Sequence, residues 1–176
     1  AVFFQYSPDR KAQWPLLHLQ RFRGTLQADG YAGFERLYGE RIQEAACWAH
    51  VRRKFYDIQV HQPSPIAEQA LERIGRLYAI ESEIRGRSAE ERRSVRRTRA
   101  GPELAALRDW LHATLTTLSK KSELASAIRY ALSRWAGLTR FIDDGRIEID
   151  SNVVERSIRP IALNRKNALF AGSDGG

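Results

Sequence analysis

The stretch from Asp150 to Asp174 holds one acid between its ends, Glu155, against four bases: Arg156, Arg159, Arg165 and Lys166. At helical spacing Asn152, Glu155 and Arg159 share a face, with Arg156 beside them. Glu155 falls in the first turn after an Asp-Ser-Asn start signal, where the helix dipole favours an ionised carboxylate. A carboxylate so placed suits a hard cation. The competing reading is an ion pair between Glu155 and Arg159, and spacing alone favours it. Asp29 ends the short predicted strand "TLQAD" and precedes Gly30. Strand ends of open α/β sheets are where ligands bind, but Asp-Gly is also a common turn pair, and without further information the turn is favoured. In "CWAHVRRKF", 47–55, an expected buried strand leads into Arg52, Arg53 and Lys54. His50 at its end would touch phosphate or a carboxylate, or serve structure alone. The run 85–99 has seven Arg against two Glu, which fits either a track for a phosphate backbone or a solvated tip.

Other chemistries lack their residues. No phosphate-cradling GxxxxGK[ST], no GxGxxG and no GxSxG occurs. The single cysteine, Cys47, excludes an internal disulfide and a cysteine-built zinc site, and fits a reducing compartment. His18, His61 and His112 are scattered, which argues against a histidine-built zinc site. A net charge of +8 and a pI near 10.1 make a polyanion the first partner to test, nucleic acid ahead of a membrane surface. No apolar run approaches the roughly 18 residues of a membrane-spanning helix. With 176 residues and no methionine, the chain is expected to be an excerpt of a longer protein.

The elements that must position these residues follow from periodicity. Residues 1–7 and 25–29 are predicted strands, 44–50 a third, and 12–22 and 31–38 helices between them, an α/β alternation with parallel pairing. Beyond 50 the pattern is helical. Ser64-Pro65 starts one helix, Ser88 with Glu91 forms a capping box, and 102–118 and 122–142 are amphipathic. A turn at 143–145, a short strand at 147–149 and a last helix stopped by Pro160 complete the chain. The expected organisation is an α/β core split by a helical insertion.

"FQYSPDRKAQWP", "LQADGYAGFERL", "CWAHVRRKFYD" and the block from "WAGLTRFIDDGRIEIDSNVVERSIRP" to the end resemble the transposases of the insertion-sequence sixty-six family. That family is similar to other DDE recombinases. The resemblance implies an RNase H-like core in which three acids hold two divalent ions, Mg²⁺ or Mn²⁺, for DNA strand cleavage and strand transfer. Asp29 then matches the second acid and Glu155 the third, both as metal ligands. His50, Arg52, Arg53, Asn152, Arg156, Arg159, Arg165 and Lys166 would meet DNA at transposon ends and target. The first acid would precede Ala1, with the first strands of the core, so the chain by itself is expected to be inactive. Asp150-Ser151-Asn152 stands where the family commonly has Asp-Asn-Asn, a tolerable change because serine also caps helices. The implied layout is 1–60 and 143–176 for the RNase H-like core and 61–142 for the insertion. A homo-oligomer on DNA, in the bacterial cytoplasm with the nucleoid, is implied as well. Two readings compete with it: a non-catalytic DNA-binding module, in which the carboxylates only pair with arginines, and a structural helical scaffold without DNA affinity.

Overall fold

The computed structural model describes residues 7–9, 11–28, 30–152 and 155–157. Two short strands, β1 (Gly24–Gln27) and β2 (Ile42–Ala45), pair in parallel with Gly24 opposite Ile42 and Gln27 opposite Ala45. A short helix α1 (Gln13–His18) precedes them, and a 3₁₀ turn, Ala32–Leu37, lies in the crossover. Six helices follow: α2 (Trp48–His61), α3 (Pro65–Glu83), α4 (Ala89–Val95), α5 (Gly101–Thr117), α6 (Glu123–Ser133) and α7 (Trp135–Thr139). The described chain is therefore mixed α/β, mostly helical, with a small parallel sheet. No described helix is long and apolar enough to cross a membrane.

Apolar residues at helical spacing build the core. Trp48, Val51 and Phe55 are buried along α2, Ala70, Ile74 and Leu77 along α3, and Leu104, Leu107 and Leu111 along α5. These side chains join Ala45 and Ala46 beside the sheet and Ile147 and Ile149 in one cluster. Ser88 accepts from the Glu91 amide at 3.3 Å while the Glu91 carboxylate accepts from the Ser88 amide at 3.0 Å, so the capping box starts α4 as expected.

Three expected elements are corrected. The strand predicted over 44–50 ends at Ala45, and the chain turns at Cys47 into α2. Tertiary bonds fix that switch: the Trp48 amide donates to Ile149 O at 3.1 Å and its indole N–H to Leu138 O at 2.8 Å. Residues 147–149 form no strand. Their neighbourhood is held instead by the Gln27 side chain, which donates to Glu148 O at 2.6 Å and Asp150 O at 3.2 Å. The helix predicted over 122–142 breaks at Arg134 (φ −106°, ψ 14°), whose guanidinium bonds Glu44 and Glu35 across the fold. The break lets Gly137 lie against β2's end, where its carbonyl accepts from Ala46 N at 3.1 Å. The strand expected over 1–7, Ser7 apart, and the helix beyond 157 lie outside the described residues.

The arginine run folds as a fastening. A π turn, Arg96–Ala100, joins α4 to α5 just before Pro102, which has no N–H and crowds the carbonyl four residues back. Arg96 forks onto Glu81 at 2.7 and 2.7 Å, Arg92 onto Glu148 at 2.8 and 2.7 Å, and Arg99 onto Glu83, while Arg97 meets Asp143 at 2.8 Å. Four of the seven arginines are thus committed to acids of α3 and of segment 143–148. The second half of the run is fastened to the fold, while 85–91 is exposed and Arg85 and Arg87 make no ion pair among the described residues.

Candidate functional site

The site gathers where the start of α2 meets the segment entering the Glu155 helix. Asp150 starts that helix, its Oδ1 accepting from the Asn152 amide at 3.0 Å and its Oδ2 from Asn152 Nδ2 at 2.7 Å. The Tyr78 hydroxyl donates to the same Oδ2 at 3.1 Å. Burial, followed by the Asp150 charge, pushes the Tyr78 pKa well above its ordinary value, so it stays a donor. Ser151 is buried rather than capping. Its amide and hydroxyl both donate towards Cys47 Sγ at 3.3 Å, and the hydroxyl also lies 3.1 Å from Glu155 Oε1. One hydroxyl proton serves one acceptor at a time. The Glu155 amide bonds Ser151 O at 3.1 Å, which places Glu155 in the first turn.

Glu155 is exposed and makes no ion pair among the described residues. Arg159, the partner that spacing suggested, lies outside them, as do Asp29, Arg165 and Lys166. The neighbours found for the Glu155 carboxylate are Cys47 and His50, with ligand atoms of all three within 4.8 Å of one another. His50 is not at a strand end but in the first turn of α2, one turn after Cys47. Its Nδ1 is buried without a hydrogen-bond partner among the described residues. His50 also lines a groove with Gly30, the residue after Asp29. Gly30 adopts φ +47°, the left-handed conformation of a turn glycine, and packs so close to Tyr130 that a Cβ would lie 2.6 Å from the phenol oxygen.

The cationic residues divide between two grooves. Arg52, Arg53 and Asn152 line one of about 630 Å³, together with Tyr56 and Tyr78. Asn152 also lines the next, with Arg156 and Arg85. Arg52 and Arg156 are exposed and form no salt bridge among the described residues, while Arg53 only approaches Asp57 at 3.8 Å. Uncommitted guanidinium groups beside an exposed carboxylate suit a polyanion that approaches the bases while the acid faces something cationic.

Sequence reasoning missed Cys47, Ser151 and Tyr78. The signal for the first was present: Cys-x-x-His across a helix start puts both side chains on one face. Read as a strand, the same spacing puts them on opposite faces.

The family model described as Transposase IS66 family matches residues 1–176. The chain is 43% identical over 183 residues to the uncharacterized protein y4qI of Sinorhizobium fredii, covering 99% of this chain and 34% of that protein. It is 41% identical over 180 residues to the uncharacterized protein y4jD of the same organism, covering 98% of this chain and 35% of that protein. The chain thus spans about a third of the length of the curated relatives it matches. No solved structure matches it.

Proposed function

This chain belongs to the IS66 family of transposases, and from that membership we propose that it forms part of a DNA transposase catalytic core in which Asp29 and Glu155 are two of the acids. The observation that carries the reading is the Glu155 carboxylate, exposed in a helix's first turn and without an ion pair among the described residues, beside a histidine whose groove reaches Gly30. Glu81, Glu83 and Glu148 sit on guanidinium groups, but exposed Glu40, Glu68 and Asp109 make no ion pair among the described residues either, so what sets Glu155 apart is the histidine beside it.

The oxygens of Glu155 fit a hard divalent ion, Mg²⁺ or Mn²⁺, and Asp29 would supply a second of its protein ligands. Bound there, such an ion supplies charge neutralisation for in-line phosphoryl transfer. The chain's own residues do the rest. Arg52, Arg53 and Arg156, with Arg159, Arg165 and Lys166, would hold DNA phosphates, which fixes register without reading sequence. His50 and Asn152 would donate hydrogen bonds to the same backbone. The reading includes an RNase H-like core, 1–60 and 143–176, interrupted by a helical insertion at 61–142, and a homo-oligomer assembled on paired transposon ends. The activity of the whole protein would be strand cleavage and strand transfer at those ends.

The test is Glu155→Gln in the 176-residue chain, read by Mn²⁺ binding (electron paramagnetic resonance) and by DNA binding at several salt concentrations. The proposal expects Mn²⁺ affinity to fall at least about tenfold, as when a metal site loses a ligand, with DNA affinity little changed. Unchanged Mn²⁺ affinity would mean that the carboxylate holds no hard catalytic ion, leaving a DNA-binding module.

A further inference from the structure

We propose that Cys47, His50 and Glu155 form a second kind of metal site, one for a borderline ion of the zinc class. A thiol sulfur, an imidazole nitrogen and a carboxylate oxygen lie within 4.8 Å of one another. Around a tetrahedral zinc, with bonds of about 2.0–2.3 Å, such atoms sit roughly 3.3–3.8 Å apart. The closure required is at most about 1.0–1.5 Å, and the exposed Glu155 side chain is free to contribute to it. Hard ions avoid this donor set, because sulfur and imidazole select zinc, cobalt or copper over magnesium.

Two further observations point to a cation here. The Nδ1 atom of His50 is buried with no hydrogen-bond partner among the described residues, an unsatisfied polar atom on a residue of the cluster. Cys47 is buried, yet the amide and hydroxyl of Ser151 both approach its sulfur at 3.3 Å. Donors of this kind surround a metal-bound sulfur in its outer shell and hold it in place. The ligands come from elements that other contacts fix. Cys47 and His50 sit at the start of α2, which is tied to Ile149 through the Trp48 amide at 3.1 Å. Glu155 follows the Asp150 turn that Gln27 and Tyr78 hold.

Binding requires the thiolate, so the thiol proton passes to solvent as the sulfur–metal bond forms. Three protein ligands leave a fourth position for water, the arrangement of an open rather than a closed zinc site. The inference does not depend on Glu155 serving DNA chemistry. If it does serve it, an ion held here engages the same carboxylate.

Cobalt(II) is the probe, titrated into the reduced 176-residue chain. The expected result is one Co²⁺ per chain with a thiolate-to-cobalt charge-transfer band, displaced by Zn²⁺ and absent from Cys47→Ala. His50→Asn and Glu155→Gln should each weaken Co²⁺ binding at least about tenfold. A folded wild-type chain that binds Co²⁺ without the sulfur band overturns the proposal. So does wild-type affinity in both His50→Asn and Glu155→Gln, which would mark simple thiol coordination. The sulfur band reports this site alone and the Mn²⁺ affinity of Glu155→Gln tests the transposase reading, so each can fail without the other.

Discussion

Arg96→Met removes the centre of the fastening between the helices and the segment that leads to Glu155. Arg96 is 0% exposed and the Glu81 side chain 9%. Its guanidinium forks onto both Glu81 oxygens at 2.7 Å and donates to Phe141 O at 2.9 Å and Asp144 O at 3.3 Å. Methionine keeps most of the volume but strands a buried carboxylate and two carbonyls. Breaking a buried pair by removing one partner costs about 3–5 kcal/mol, most of it the uncompensated charge. Arg92 Nη2 stands 3.6 Å from Glu81 Oε2 and relieves part of that, so we expect about 3 kcal/mol, the lower end. Arg96→Met with Glu81→Met removes both charges, and the double variant should recover about 1–3 kcal/mol relative to additivity. Urea unfolding of the four chains closes the cycle. Because the pair is buried, the loss should change little with salt. Hydrogen exchange should also show lost protection around 141–144, where Arg96 holds the carbonyls of Phe141 and Asp144. A cost below about 1 kcal/mol, or additive single variants, would refute the claim that this pair is a fastening.

Other perturbations follow from single contacts. Tyr78→Phe deletes the bond to Asp150 Oδ2 and should lower stability by about 0.5–1.5 kcal/mol in urea unfolding, with faster exchange at the Asn152 amide. Gly145→Ala would set a Cβ 1.8 Å from Ala89 O, which is backbone, so the turn and α4 must separate; a loss of about 1–3 kcal/mol is expected by the same measurement. The Arg146 side-chain bond holds the Asp144 pKa down, from its ordinary 3.8 to about 2. A carboxylate depressed on folding adds stability that is complete above its unfolded pKa and is lost as pH falls through the folded one, here between about pH 4 and pH 2. Asp144→Asn should flatten that acid limb by less than about 1 kcal/mol, because the pair is local and Arg146 exposed. Arg52→Ala with Arg53→Ala should weaken DNA binding and reduce the salt slope by about 2, measured by fluorescence anisotropy; an unchanged slope would remove α2 from the interface.

The parts legible in the sequence are those whose cause is local. Ser88 and Glu91 close their capping box within four residues, and Pro65 opens α3 at its first position. Buried positions on α3 and α5 recur at helical spacing because each helix offers one stripe to a shared core. Where the cause lies far along the chain, the expectation failed. The arginines of 85–99 have their acids at Glu81, Glu83, Asp143 and Glu148, so composition showed a surplus of charge that the fold largely neutralises. Arg134 breaks the long helix while bonding residues 90 and 99 positions away, a contact no local propensity encodes.

The misread segment 44–50 had the largest consequence. Its small and apolar residues are buried, but burial alone does not separate a two-sided strand from the start of a core helix. The bonds that decide for helix come from Leu138 and Ile149, each about ninety or a hundred residues on. That single choice fixes the chemistry available. On a strand Cys47 and His50 face apart, and a thiol and an imidazole three residues apart amount to nothing. At the start of α2 they face together, Ser151 approaches the sulfur, and Glu155 closes the third side. The acidic residue was legible as a carboxylate set among bases. What it faces was not, because its neighbours are brought there by a turn from strand to helix more than a hundred residues earlier.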